Sequence, residues 1–226
     1  LMKGAGGIML GKTVTTEFAC MDPSPTLNPW NAAHTPGGSS SGSAVAVASR
    51  MCPAAMGSQT VGSVLRPASY NGVVGLKPTY GRLSRYGLTA LSWSQDHPGP
   101  MARTVADCAM LMNATAGYDP KDPATRQVPV PDYTQALTGD VRGLRVGVPQ
   151  EFFQVPLDRQ VEQAVRKAID VLAGMGAVIS EVSWPMYRYA TPIATIIQMS
   201  EATAYHADLV RRRGAEYAPP VRLLLE

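Results

Sequence analysis

The sequence predicts an α/β fold. Short apolar runs of strand length alternate with longer segments whose apolar residues recur at helical spacing. Capping residues and glycines fall at the junctions between them. With 226 residues, 45% hydrophobic and 16% charged, the chain can bury a sizeable core, and one domain over 1–226 is the default expectation.

In chain order, the apolar run 7–10 reads as a strand preceded by a short helix tail. Residues 20–43 are dense in Pro, Asn, Ser, Thr and Gly and read as one long loop. A loop of that length in a compact domain points to binding or catalysis. Small apolar residues at 44–48 suit a closely packed helix, and a second glycine-serine loop follows at 57–69. A strand is expected at 72–76 and a helix at 104–115, with Thr104 and Asp107 at capping-box spacing and Gly117 placed to end it. After a polar connection over 118–143 comes a strand at 144–148. Asp158 then caps a helix whose face carries Val161, Ala164, Val165, Ala168, Ile169 and Leu172. Gly174 and Gly176 stop it, 178–182 alternates as a strand, and a last long helix covers about 192–213. No internal repeat is present. The chain begins at Leu1 and ends within the apolar run 221–225, so both ends read as cut and a fragment is expected.

Composition narrows the function. A net charge of +3 is too mild to imply direct nucleic-acid binding, and the one basic run, Arg211 to Arg213, has Asp208 and Glu216 beside it on a helix. Cys20, Cys52 and Cys108 form no CxxC, which suits reduced thiols in a cytoplasmic protein. No apolar run reaches membrane-span length, and no secretory signal layout opens the chain. His34, His97 and His206 are scattered away from metal-ligand spacing, so neither a metal nor another cofactor is implied.

The most unusual feature is the pair of loops PGGSSSGSAVAVA (36–48) and GSQTVGSVLRPAS (57–69), which place hydroxyls where glycine lets backbone approach a ligand. Together with GKTVTTEFA (11–19), GVVGLKPTYGRLSRYGL (72–88) and DHPGPMARTVADCAMLMNATAGYDPKD (96–122), they resemble the amidase signature family. EATAYH at 201–206 extends the resemblance more weakly. The resemblance implies a mixed, mostly parallel central sheet flanked by helices, present here as a partial domain.

It also implies amide hydrolysis through an acyl-enzyme. Ser63 matches the nucleophile and Ser39 the proton-relaying serine preceded by a cis peptide, here Gly38–Ser39. Backbone N–H groups of Thr60, Val61 and Gly62 match the oxyanion donors, with Gly38 and Ser40 beside them on the substrate side. The family's third member is a neutral lysine amine, which must have a lowered pKa to act as base. It lies further upstream of the first serine loop than this chain reaches, and neither Lys3 nor Lys12 is assigned to it. Gln59 and Val61 depart from the usual Asp and Gly of the nucleophile loop, although Gln59 matches a GTQT variant. A Val61 side chain is expected to narrow the acyl pocket or strain the turn. Asn71 replaces a frequent Cys and reads as structural.

The substrate is then a small-molecule amide, with no membrane and no direct nucleic-acid partner, and a homodimer is left open. EATAYH and the Gln59–Arg66 pattern favour a free-standing amidase. The alternative within the family is the glutamine-hydrolysing A chain of the tRNA-dependent amidotransferase, and outside catalysis a binding protein retaining the fold. Residues 38–42 also spell G-x-S-x-G, the nucleophile elbow of α/β-hydrolases, with Ser40 attacking and His206 as base. No β-branched run precedes it to form the required strand. Cys52 reads as packing, Arg66 either as a carboxylate anchor or as a brace for carbonyls, and Asp96 and Arg103 as structural. Met101, Met110 and Met112 are expected in the core.

Overall fold

A computed structural model of the protein describes residues 2–20 and 22–226; Leu1, and Met21 inside the long loop, lie outside them. The chain divides into two compact units, Leu1–Ala136 with Ile196–Glu226, and Leu137–Thr195.

In the first unit, α1 (Ser41–Ala48) leads to β1 (Ala54–Gln59), α2 (Leu65–Asn71), β2 (Val74–Gly75), β3 (His97–Ala102) and α3 (Val105–Thr115). The strands form a sheet in the order β1-β3-β2 with both pairings antiparallel. The mixed α/β class stands, but the expected mostly parallel arrangement does not hold for these three strands. The sequence reading also missed β1 and β3. AAMGSQ in β1 lacks β-branched residues, and HPGPMA in β3 carries two prolines. The prolines are tolerated for a positional reason. Pro100 O accepts from Leu76 N at 3.0 Å, so residues of that parity face the β2 edge, where the partner strand is only two residues long. The loop expected over 57–69 is shorter than predicted, because its start is strand β1 and its end helix α2. Pro67 sits in the first turn of α2, where an amide hydrogen has no helical acceptor anyway.

The helix α3 forms as predicted. Thr104 Oγ1 accepts from Asp107 N at 3.1 Å, the helix ends at Thr115, and Gly117 follows with φ 143°. By contrast, the expected strand at 7–10 is irregular, with Ile8, Met9 and Leu10 exposed. It pairs with no strand among the described residues, and a lone extended run cannot satisfy its own backbone. Ala44, Val47, Val64 and Met101 close the core between α1, the start of α2 and β3. Met101 and Met112 are buried as expected, whereas Met110 is more than half exposed on the outer face of α3.

The second unit holds β4 (Arg145–Pro149), α4 (Arg159–Gly174) and β5 (Val178–Val182). The two strands are parallel and in register from Arg145↔Val178 to Pro149↔Val182, with α4 as the crossover. Asp158 caps α4 by accepting from Gln160 N and Val161 N. On the predicted apolar face Val165, Ile169 and Leu172 are half-buried, while Val161, Ala164 and Ala168 are exposed. Helix α5 (Tyr187–Arg213) begins five residues before the predicted start and carries Pro192 inside it, and α6 (Pro219–Leu225) follows. Arg211 and Arg212 pair with Asp208, and Arg213 with Glu216, so the basic run is a solvated face. None of the helices among the described residues is long and apolar enough to cross a membrane.

One ion pair carries a pH prediction. Arg85 donates Nε and Nη2 to the Asp122 carboxylate at 3.1 and 2.9 Å, and the side chain of Asp122 is only 4% exposed. The Arg85 hydrogen bonds hold the Asp122 carboxyl down from 3.8 to about 2, against the opposing effect of burial. A depressed carboxyl stabilises the fold above its unfolded pKa and ceases to do so as the pH falls through the folded value. Asp122 therefore contributes about 2 kcal/mol above pH ~4 that disappears towards pH ~2. Urea titrations of Asp122→Asn should show that deficit at pH 7 and a smaller one at pH 2. An equal deficit at both pH values would contradict it.

Candidate active site

The two serine loops meet. Ser40 N donates to Ser63 O at 3.3 Å, which stitches the end of the first loop to the predicted nucleophile. The Gly38–Ser39 peptide is cis. Ser39 is buried, its carbonyl accepts from Thr15 Oγ1 at 2.8 Å and Thr16 N at 3.1 Å, and its Oγ meets no partner among the described residues. Ser63 is 8% exposed.

Segment 13–16, from the GKTVTTEFA motif, braces the first loop along its length. Gly42 N donates to Val14 O at 2.9 Å, and the Thr13 and Ser43 hydroxyls are hydrogen-bonded at 2.7 Å. The opposite side is held by Arg66, whose Nε and Nη2 both donate to Gly38 O at 3.1 and 2.8 Å. Of the two readings of Arg66, the brace is the one the geometry shows. Asn71 is fully buried, and its Nδ2 donates to Pro36 O and Pro67 O, so it also anchors this loop.

Ser40 is not placed as an elbow nucleophile. Its Oγ donates to Ser58 O and accepts from Ser58 N, which ties the loop to β1. His206 instead packs against Phe18, Tyr205 and Tyr217, with Nδ1 hydrogen-bonded to the Tyr217 hydroxyl at 3.0 Å. Burial lowers its pKa.

The turn 60–62 leaves β1 with its donors free. Among the described residues, the N–H groups of Thr60, Val61 and Gly62 meet no acceptor, and neither does that of Ser63 after them. Gln59 explains the shape. Its Nε2 donates to Val61 O at 3.1 Å, while its Oε1 accepts from Val64 N and Leu65 N at the start of α2. In a trans peptide the carbonyl and the following N–H point in opposite directions, so turning Val61 O towards Gln59 turns Gly62 N–H away from it. Val61 does not adopt a positive φ, and its side chain is 53% exposed. The expected backbone strain is therefore absent.

The sequence reading did not assign Gln59 this capping role, which becomes evident only once the start of α2 is known. Val64 at the N-cap of α2 has no side-chain acceptor to cap the helix, so another group must do it. Beside the loops, a cleft of about 240 Å³ opens against Thr16, Cys20, Ser24, Gly38, Arg66 and Tyr70. Burial, helped by Glu17, pushes the Cys20 thiol up to about 11, which makes it a poor nucleophile at neutral pH. The described residues contain no cluster suited to a metal ion. Lys3 and Lys12 are both exposed.

The family model described as Amidase matches residues 1–222. The A chain of the glutamyl-tRNA(Gln) amidotransferase of Roseiflexus sp. (strain RS-1) is 46% identical over 98% of this chain and 50% of its own length. The crystal structure of the protein of the same name from Thermotoga maritima is 39% identical, with TM-score 0.87, over 95% of this chain and 50% of that one. Native peptide amidase from Stenotrophomonas maltophilia is 33% identical, with TM-score 0.84, over 99% of this chain and 53% of that one. The chain thus spans about half the length of the relatives it matches. The match over nearly all of its residues makes this chain a member of the amidase family.

Proposed function

We propose that the chain carries the serine pair of an amide-hydrolysing site, with Ser63 as nucleophile and Ser39 as proton relay. The observation that carries this reading is the hydrogen bond from Ser40 N to Ser63 O, which joins the two loops next to Ser39, whose buried hydroxyl has no partner among the described residues. Ser63 Oγ attacks the amide carbonyl carbon while its proton passes to Ser39 Oγ. Ser39 hands its own proton to a base, for which the family resemblance implies a neutral lysine amine. The developing oxyanion is met by free N–H groups of the turn 60–62. Collapse expels the amine with a returned proton, and water then hydrolyses the Ser63 ester.

For the substrate, the relatives favour the carboxamide of glutamine, within the A chain of an amidotransferase, over the free-standing amidase expected from EATAYH and Gln59. The relatives at 46–49% identity over at least 94% of this chain carry the amidotransferase name. Among solved structures, peptide amidases are 33 and 37% identical, against 39% for the amidotransferase protein of Thermotoga maritima. On this reading the protein works beside other subunits and a tRNA-bound acceptor, whereas this chain itself carries a net charge of only +3. The test is ammonia release by the protein as its host makes it, from glutamine and from simple aliphatic and aryl amides. Glutamine turnover that rises when the partner subunits and charged tRNA are added is expected. Rapid turnover of simple amides that ignores those partners would favour the free-standing amidase.

A further inference from the structure

The oxyanion turn is held from behind by a carboxylate that the mechanism does not use. Strand β1 ends at Gln59 and β3 begins at His97, and these two residues are partners in the sheet. The next residues outward are Thr60 and Asp96, joined by a side-chain hydrogen bond from Thr60 Oγ1 to Asp96 Oδ1 at 2.6 Å. The other oxygen, Oδ2, accepts from Leu91 N at 2.9 Å and Ser92 N at 3.0 Å, and Asp96 N donates to Ser92 O at 2.8 Å. Asp96 is 5% exposed. The 91–94 turn is tied in turn to α5, where Glu201 Oε2 accepts from Ser92 Oγ at 2.5 Å and Ser94 N at 3.0 Å. The sequence reading of Asp96 as structural leaves out its reach to the turn after β1.

We propose that Asp96 is a positioning residue for amide hydrolysis, fixing Thr60 and thereby the first peptide of the oxyanion turn. The inference rests on Ser63 being the nucleophile. Gln59 sets the direction of the Val61–Gly62 peptide, but it reaches that peptide across a turn whose first residue, Thr60, would otherwise be free to pivot at the frayed end of β1. The Thr60 hydroxyl supplies the missing constraint. Its acceptor is buried and fixed by backbone donors, so the hydrogen bond transmits the geometry of the sheet and of α5 to the donors. The three donors on Asp96 also offset its charge near a site where a second negative charge develops.

The variants that separate positioning from general stability are Thr60→Val, Thr60→Ser and Asp96→Asn, made in the protein as its host makes it. Their kcat is measured per active site titrated with a serine-directed fluorophosphonate. Thr60→Val should lower kcat by about 10- to 100-fold with KM changed by less than about threefold. Thr60→Ser, which keeps the hydroxyl, should stay within about threefold of wild type. Asp96→Asn should reproduce the loss, and the double variant with Thr60→Val should be no worse than the worse single one. A residue needed only for folding would reduce the number of titratable sites without changing kcat per site, and serine would not rescue it selectively. An unchanged kcat in Thr60→Val with the label at Ser63 would overturn this inference alone. A label on another serine would overturn the nucleophile assignment and this inference with it.

Discussion

Replacing Ser63 by alanine is expected to abolish amide hydrolysis, with kcat falling by about four orders of magnitude or more. In the first loop the other serines are hydrogen-bonded or buried, Ser43 through its bonds to Thr13 and Met56 O. Ser40 Oγ is occupied by Ser58, Ser41 Oγ is hydrogen-bonded to Ser24, and Ser39 is buried beneath the loop. The fold should survive, because the structural duty of residue 63 is performed by its carbonyl, which accepts Ser40 N–H and is unchanged in alanine. Ammonia release and thermal melting of Ser63→Ala would show the loss of rate without a matching loss of stability. Hydrolysis within tenfold of wild type would remove Ser63 from the mechanism.

The second large effect is expected at Gly42. A Cβ there would lie 2.6 Å from Val14 O and 2.7 Å from Val14 N, with Thr13 Cβ at 3.2 Å. The two nearest are backbone atoms, so no side chain can swing aside, and segment 13–16 must separate from α1. That separation breaks Gly42 N–Val14 O and loosens the hydrogen bonds from Thr15 and Thr16 to Ser39 O. Gly42→Ala should therefore cost ~3 kcal/mol in chemical denaturation. Its remaining folded fraction should hydrolyse amides more slowly, since Ser39, the proposed relay, has lost its brace. Stability within about 0.5 kcal/mol of wild type would show that the 13–16 segment does not press on the loop.

The reason for Gly42 also shows what the sequence could disclose. The G-x-S-x-G spelling invited an elbow, yet the glycine is explained by the close approach of Val14, 28 residues earlier in the chain. Features that depend on neighbouring residues were legible: Thr104 and Asp158 as caps, the strand 178–182, and the small-residue helix at 44–48, which in the structure starts three residues earlier at Ser41. The serine pair came from the family resemblance, and the structure shows that the two loops carrying it meet through Ser40 N and Ser63 O. Strands β1 and β3 were not, since a glycine- and serine-bearing run and a proline-bearing run become strands only by pairing with each other. The second layer of the site was hidden for the same reason. Thr60 and Asp96 are 36 residues apart, and Asn71 reaches Pro36 across 35. Gln59 acts locally, but on backbone groups whose need for a partner becomes evident only once α2 is known to start at Leu65 without a cap.

The account stands on Ser63 as the nucleophile, joined to Ser39 by the meeting of two loops. Its most direct test is covalent: the protein is treated with a serine-directed fluorophosphonate, digested, and the modified residue located by mass spectrometry, with Ser63→Ala as control. The account predicts one adduct, on Ser63, that is absent from the alanine variant. An adduct on Ser40, or one that persists in Ser63→Ala, would contradict it.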